Sequence, residues 1–336
     1  MDSVDKAILN LVQRRFPVVS RPYSAIGAKV GIAEIEAYHR LREMRTQGYI
    51  RRLGAILDSH RLGYYSTLCA AKVPEEKIPV LTRILAEITG VTHNYLRAHT
   101  YNMWFTLIAP SLEKAEEILK AVKEESRVRE IYSLPAIRLF KINVDFNFGD
   151  FNSSNTYTGN FHSIEGGCHD NPGTFLKQPY PVTEEDIALI RLLQEDLPQD
   201  LAPFQTLAAE LGEGEEGVLE HTCKLLQAGV IRRLGAVLRH QKAGFVSNAM
   251  GVWQVEPERV EQVGAIMSGF PEVSHCYERP SLPDWPYNVF TMIHGQSEEE
   301  CRQVMAKIAR ATGVTRYDAL YSLKELKKSS MKYFIE

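Results

Sequence analysis

The chain has 336 residues, 44% of them hydrophobic, and a formal net charge of -3. That is long enough for several domains with their own cores, and it lacks the basic excess of a protein that lives on duplex DNA. No run of about 18 apolar residues offers a membrane span, and the opening MDSVDKAILN is acidic and amphipathic, not a secretory signal, so a cytoplasmic protein is expected.

Val4 to Arg15 places Val4, Ala7, Ile8, Leu11 and Val12 on one face, the i, i+3, i+4 spacing of an amphipathic helix. Ser20-Arg21-Pro22 breaks it; Tyr23 to Val30 reads as a short helix, Gly31 as a turn, and Ala33 to Gln47 as a third helix closed by Gly48. This is a helix-turn-helix pattern, and Ile50 onward supplies the strand of a wing. The stretch Gly48 to Leu57, GYIRRLGAIL, returns as Gly229 to Leu238, GVIRRLGAVL, with eight of ten positions identical across a shift of 181 residues. Such a self-match marks a tandem duplication. After the first wing the periodicity predicts strand Tyr65–Val73, helix Ile78–Thr89, strands Val91–Arg97 and Met103–Ala109, helix Leu112–Glu125 and strand Val128–Ser133. That βαββαβ order is the ferredoxin-like unit.

Asn147 to Pro181 is rich in Asn, Ser, Thr and Gly and reads as a linker; its His162, Cys168 and His169 make a poor metal cage. The five cysteines show no C-x-x-C spacing and read as reduced thiols. The second copy repeats the plan. Thr183 is an expected N-cap for a helix through Gln194, Phe204–Leu211 and Gly217–Gln227 match the later helices, and strands and helices follow at Val246–Val255, Pro257–Gly269, Val273–Glu278, Val289–His294, Ser297–Ala311 and Val314–Ser322. The expected class is α+β: two tandem copies of a winged helix-turn-helix plus a ferredoxin-like domain. Residues 1–60 and 61–146 form the first copy, 147–181 the linker, and 182–241 and 242–336 the second copy.

The combination resembles the Lrp/AsnC family of transcriptional regulators. A DNA reader needs cations on its recognition helix. The first copy has Arg40, Arg42 and Arg45, but the second sets Glu213, Glu215, Glu216 and Glu220 against Lys224 and would repel phosphates, so DNA is not an expected partner and these helices are expected to pack and scaffold.

The candidate chemistry lies on the strand after each first ferredoxin-like helix. Both copies carry H-x-Y-x-R, as His93, Tyr95, Arg97 and as His275, Tyr277, Arg279, and period two puts each triad on one strand face. A lone histidine or Tyr-Arg neighbour on a strand is usually structural; the same triad at the same place in both copies favours function. A Tyr-Asn pair follows each triad, Tyr101-Asn102 and Tyr287-Asn288, and in the second copy PSLPDWPYN adds Trp285 as an expected stiff wall.

The H-x-Y-x-R strand, the Y-N pair and the I-R-R-x-G-A wing together resemble the siroheme decarboxylases, Lrp/AsnC-like enzymes that commonly pair two related subunits. This chain is similar to such a pair fused head to tail, over nearly its whole length outside the linker. The resemblance implies removal of carbon dioxide from the C12 and C18 acetates of siroheme, giving 12,18-didecarboxysiroheme, in haem or haem d1 biosynthesis. It also implies that the two copies form an intramolecular pseudo-dimer, with the fused chain a candidate for further pairing as a homodimer. Siroheme or a related tetrapyrrole is then the partner. No cofactor is required, since the iron belongs to the substrate and protonation of the macrocycle supplies the electron sink. His93 and His275, assisted by Tyr95 and Tyr277, are the expected proton donors. Arg97 and Arg279 are expected to orient carboxylates that do not react, because an arginine gripping the reacting one would oppose its loss. Arg51, Arg52, Arg232, Arg233 and His99 are further candidate contacts for the eight carboxylates, or else ordinary charges at a wing. No protein metal site is expected; His275 is the candidate ligand of the substrate iron. The triads' surroundings differ, so two non-equivalent pockets are expected.

Overall fold

The computed structural model describes residues 1–142, 178–239, 247–282 and 284–335. The linker reading and its His162, Cys168 and His169 therefore lie largely or wholly outside the described residues, as does Pro283 of the aromatic loop.

The first copy runs α1 (Ser3–Arg14), α2 (Pro22–Val30), α3 (Glu34–Thr46), β1 (Ile50–Leu57), β2 (Tyr65–Ala71), α4 (Ile78–Glu87), β3 (Val91–Arg97), β4 (Met103–Ala109), α5 (Leu112–Ser126), β5 (Ile131–Pro135) and β6 (Arg138–Ile142). The second runs α6 (Glu184–Leu193), α7 (Pro203–Leu211), α8 (Glu215–Gln227), β7 (Ile231–Leu238), β8 (Ser247–Trp253), α9 (Val260–Ser268), β9 (Val273–Glu278), β10 (Val289–Gly295), α10 (Glu298–Thr312) and β11 (Tyr317–Lys328). Local chemistry sets these limits. Asp2 and Thr183 close capping boxes on α1 and α6, and Gly31 and Gly212 end α2 and α7 in the left-handed region at φ 77° and 70°. Among the described residues no helix is long and apolar enough to cross a membrane.

Among the described residues the expected wings do not form within either copy. Instead β1 pairs antiparallel with β7, one strand from each copy, in a two-stranded sheet. Each strand docks on the end of the other copy's first helix, with pseudo-symmetric contacts. The Leu234 carbonyl accepts from Phe16 N at 2.8 Å, and the Leu53 carbonyl accepts from Leu197 N at 2.7 Å. Arg233 donates to the Gln13 carbonyl, and Arg52 donates to the Gln194 carbonyl. A Cβ on Gly54 would stand 2.2 Å from the Glu195 carbonyl oxygen, and one on Gly235 2.6 Å from that of Val12. The repeated I-R-R-L-G-A therefore joins the copies: arginine caps the facing helix's orphan carbonyls and glycine lets strand and helix touch. Both sets of helices share a single apolar core with these strands.

The remaining strands form one nine-stranded sheet in the order β5-β2-β4-β3-β11-β8-β10-β9-β6. Each copy contributes a ferredoxin-like quartet whose helices cover a separate core. The sequence pattern does not reveal that each copy sends its last strand into the other. Tyr317 to Tyr321 of β11 pair with β8, while Ser322 to Lys328 run on along β3. Reciprocally, β5 pairs with β2, and the chain continues as β6 along β9. Cys69, Cys276 and Cys301 are buried free thiols.

Candidate active site

A cavity of about 550 Å³ is lined by both H-x-Y-x-R rows together, with Trp104 of β4, Phe290 of β10, and Arg232 and Arg233 of β7. This corrects the expectation of two pockets. Strand exchange closes the two quartets around one space, so the rows share it. The volume lies within the roughly 300–1,000 Å³ usual for organic ligands.

Each row is built alike. His93 and Tyr95 have near-parallel rings with centroids 6.4 Å apart, and His275 and Tyr277 match at 6.2 Å. Arg97 lies 5.4 Å over the Tyr95 ring, and Arg279 4.7 Å over that of Tyr277. Both arginines reach across the copies. Arg97 Nη1 donates to the Leu320 carbonyl at 2.6 Å, and Arg279 Nη1 to the Leu134 carbonyl at 2.6 Å. One carbonyl does not satisfy five donors, and the Nε of each arginine is buried without a hydrogen-bond partner. Burial pulls both guanidinium pKa values down to about 10, which leaves them charged at neutral pH. A buried cation with spare donors facing a cavity is prepared for a carboxylate.

The histidines are held neutral. Burial, reinforced by Lys328 and Arg51, pulls His93 down to about 4. Burial, with His294, Arg232, His93 and Arg279, pulls His275 down to about 3. Each has Nδ1 beside a hydroxyl on the preceding residue, Thr92 Oγ1 at 3.0 Å and Ser274 Oγ at 2.8 Å. Burial raises both tyrosines above the usual phenol range, so both remain protonated donors at neutral pH. The rows differ in their borders. Tyr95 donates to Glu325 Oε2 at 3.1 Å on the exchanged β11, whereas Leu139 of β6 is the register partner of Tyr277. Among the described residues no group of three or more His, Cys, Asp or Glu side chains is placed to hold a metal.

The other sequence candidates divide. Arg232 and Arg233 line the cavity; Arg51 and Arg52 do not. Arg51 Nη2 donates to Ser330 Oγ at 3.0 Å, and Arg52 is spent on the carbonyls of Gln194 and Ala55. Asn102 and Asn288 pin backbone instead of facing the cavity: each amide exchanges two hydrogen bonds of 2.8–2.9 Å with the main chain of Val73 or Val255. Tyr101 is buried and donates to Asp284 Oδ1 at 2.8 Å. Trp285 is 1% exposed and packs with Tyr101, Trp104, Tyr287 and Phe290, so the aromatic loop of the second copy plugs the first behind the cavity wall and does not form the wall itself. His99 lies edge-on to Trp285 at 5.1 Å, outside the lining. Sequence reasoning missed Trp104, Phe290, Ser274, His294 and Lys328, all but Ser274 part of the lining. The signal existed for the strand residues: Trp104, Thr106 and Ile108, and Phe290, Met292 and His294, alternate at period two after each Y-N pair.

The expected loss of DNA reading has a structural side. Arg40 pairs with Asp2, Asp5 and Glu36 at 2.8–2.9 Å, and Arg45 pairs with Asp196 at 2.9 Å, so two of the three arginines on α3 are neutralised within the chain.

Comparison with known proteins agrees with this architecture. A family model described as AsnC-like ligand binding domain matches residues 61–141 and 242–327. One described as siroheme decarboxylase NirDL-like HTH domain matches residues 5–51 and 186–232. The chain is 35% identical to the siroheme decarboxylase of Hydrogenobacter thermophilus, over 98% of this chain and 94% of that one. A relative of half the length, the siroheme decarboxylase beta subunit of Methanosarcina barkeri, is 45% identical over 44% of this chain and 97% of its own. The crystal structure of the siroheme decarboxylase NirDL in complex with an iron-uroporphyrin III analogue superposes with a TM-score of 0.73 at 31% identity, covering 99% of this chain and 95% of that one. With two AsnC-like halves in one polypeptide, the chain belongs to the siroheme decarboxylase family.

Proposed function

We propose that this chain decarboxylates siroheme in the cavity shared by its two copies, removing carbon dioxide from the C12 and C18 acetates. The observation that carries the reading is the pair of His-Tyr-Arg rows on one cavity. Losing carbon dioxide from an acetate on a pyrrole carbon leaves an electron pair that the macrocycle accepts, so no separate organic cofactor is needed. What the protein must supply is orientation and a proton. The spare donors of Arg97 and Arg279, with Arg232 and Arg233 beside them, suit the carboxylates that do not react. A neutral imidazole or phenol in the low-dielectric wall is a proton donor that does not hold the reacting carboxylate as a salt bridge would, which favours its departure.

Anaerobic incubation of purified protein with siroheme, followed by mass spectrometry of the tetrapyrrole, tests this directly. Loss of two carbon dioxide units is expected, and an unchanged mass would overturn the reading. His93→Ala and His275→Ala are each expected to slow turnover within the span of about 10²–10⁴-fold usual for a general acid. Unchanged turnover in both would remove the histidines from the chemistry.

A further inference from the structure

Strand β10 continues the wall that β9 begins, and it carries a histidine with no counterpart in the first copy. Counted from the paired Asn102 and Asn288, His294 falls where the first copy has Ile108, and both residues line the cavity. His294 Nε2 lies 2.9 Å from Ser274 Oγ, and the same oxygen lies 2.8 Å from His275 Nδ1. In the first copy Thr92 Oγ1 lies 3.0 Å from His93 Nδ1, but Ile108 has no ring nitrogen to extend the chain.

We propose that Ser274 and His294 form a proton relay that supplies His275 during decarboxylation, and that His93 has no such supply. The proposal rests on the siroheme reading of the cavity. Arg232 and Arg279 bear on His275 as fixed positive charges, and His93 and His294 as its titratable neighbours. His275 can give up its Nε2 proton without becoming an anion only if its Nδ1 gains one, and the Ser274 hydroxyl lies against that nitrogen with His294 Nε2 behind it. His294 is half-buried and lines the cavity, so its reloading is from the cavity side. The step balances as follows. The bond between the acetate methylene and its carboxyl carbon breaks, carbon dioxide leaves, and the electron pair stays on the methylene, delocalised into the macrocycle. A C–H bond forms with the Nε2 proton of His275, its Nδ1 takes the Ser274 hydroxyl proton, and Ser274 takes the Nε2 proton of protonated His294. His294 ends neutral and is recharged from solvent, and exchange with water resets the His275 tautomer. His294 acts through His275 and is a positioning and relay residue.

The test is single-turnover decarboxylation of siroheme by wild type, His294→Gln, His294→Ala, Ser274→Ala and Ser274→Thr, with siroheme binding followed by absorbance. Ser274→Ala and both His294 variants are expected to lose at least about tenfold in rate while siroheme affinity stays within about twofold. Ser274→Thr, which restores the hydroxyl found in the first copy, is expected to stay near wild type, and added imidazole is expected to recover part of the rate of His294→Ala. A wild-type rate in His294→Gln would overturn the relay while leaving the siroheme reading intact. So would a parallel loss of rate and affinity in His294→Ala without imidazole rescue. A wild type that leaves siroheme unchanged would overturn both.

Discussion

The two catalytic candidates are imidazoles that the protein keeps uncharged, and this has a consequence for stability. An unfolded histidine titrates near 6.5, whereas in the folded chain His93 titrates at about 4 and His275 at about 3. Between those values the unfolded chain binds more protons than the folded one, so stability must fall as pH falls. Their contribution is fully present above pH 6.5 and is lost as pH drops towards 4 and then 3. Urea midpoints of the empty protein are therefore expected to decrease from pH 7 to pH 5, above the range where carboxylates titrate. A double His93→Gln, His275→Gln variant is expected to show a smaller decrease; an equal slope would mean that the rings are not held neutral. Residue types also explain what misleads in the sequence. The triads are legible because period two puts chemically unlike groups on one face. The Y-N pairs and the wing arginines look equally suggestive, yet Asn102 and Asn288 spend their amide atoms, and Arg52 both its Nη groups, on main chain. Duplication preserves a structural clamp as faithfully as a functional group, and a repeat alone cannot separate the two.

At the scale of elements, the helix-turn-helix and βαββαβ order is legible from periodicity and glycine turns, and most boundaries fall within a few residues of the sequence expectation. What stays hidden is β6 and the second half of β11. Arg138 to Ile142 pairs with β9, and Ser322 to Lys328 pairs with β3, each in the other copy, so no local pattern marks them and only the tertiary partner makes them strands. The wing is misread for the same reason: β1 finds β7 and not a hairpin mate. Gly54 is the sharpest probe of that docking. A Cβ there would lie 2.2 Å from the Glu195 carbonyl oxygen, whereas one on Gly214 meets nothing within 4 Å. Gly54→Ala is expected to destabilise the chain by about 1–3 kcal/mol, the usual cost of overpacking, with Gly214→Ala as a neutral control. Equal urea midpoints for the two variants would show that the strand and helix can part without cost.

At the scale of the molecule, neither copy closes its own sheet. The edge of β3 is covered by β11 and the edge of β9 by β6, so a single copy would expose an unpaired edge next to half a cavity. Residues 1–146 and 178–336 produced together as separate polypeptides are expected to co-purify at one-to-one stoichiometry and to retain siroheme turnover, whereas either alone is expected to aggregate or self-pair. Size-exclusion chromatography with mass detection decides this, and a single half that stays monodisperse as a monomer would overturn it. Joining the halves covalently has a further effect. Free subunits of similar shape can meet their own kind, and each mispairing would leave a cavity with two identical walls. A tether makes the correct encounter intramolecular, at an effective concentration that unlinked copies do not reach. Selection is thereby released from keeping each half self-complementary. A feature can be lost from one half as long as the other retains it, and unlike borders such as Glu325 against Leu139, or His294 against Ile108, become heritable as a division of labour within one gene product.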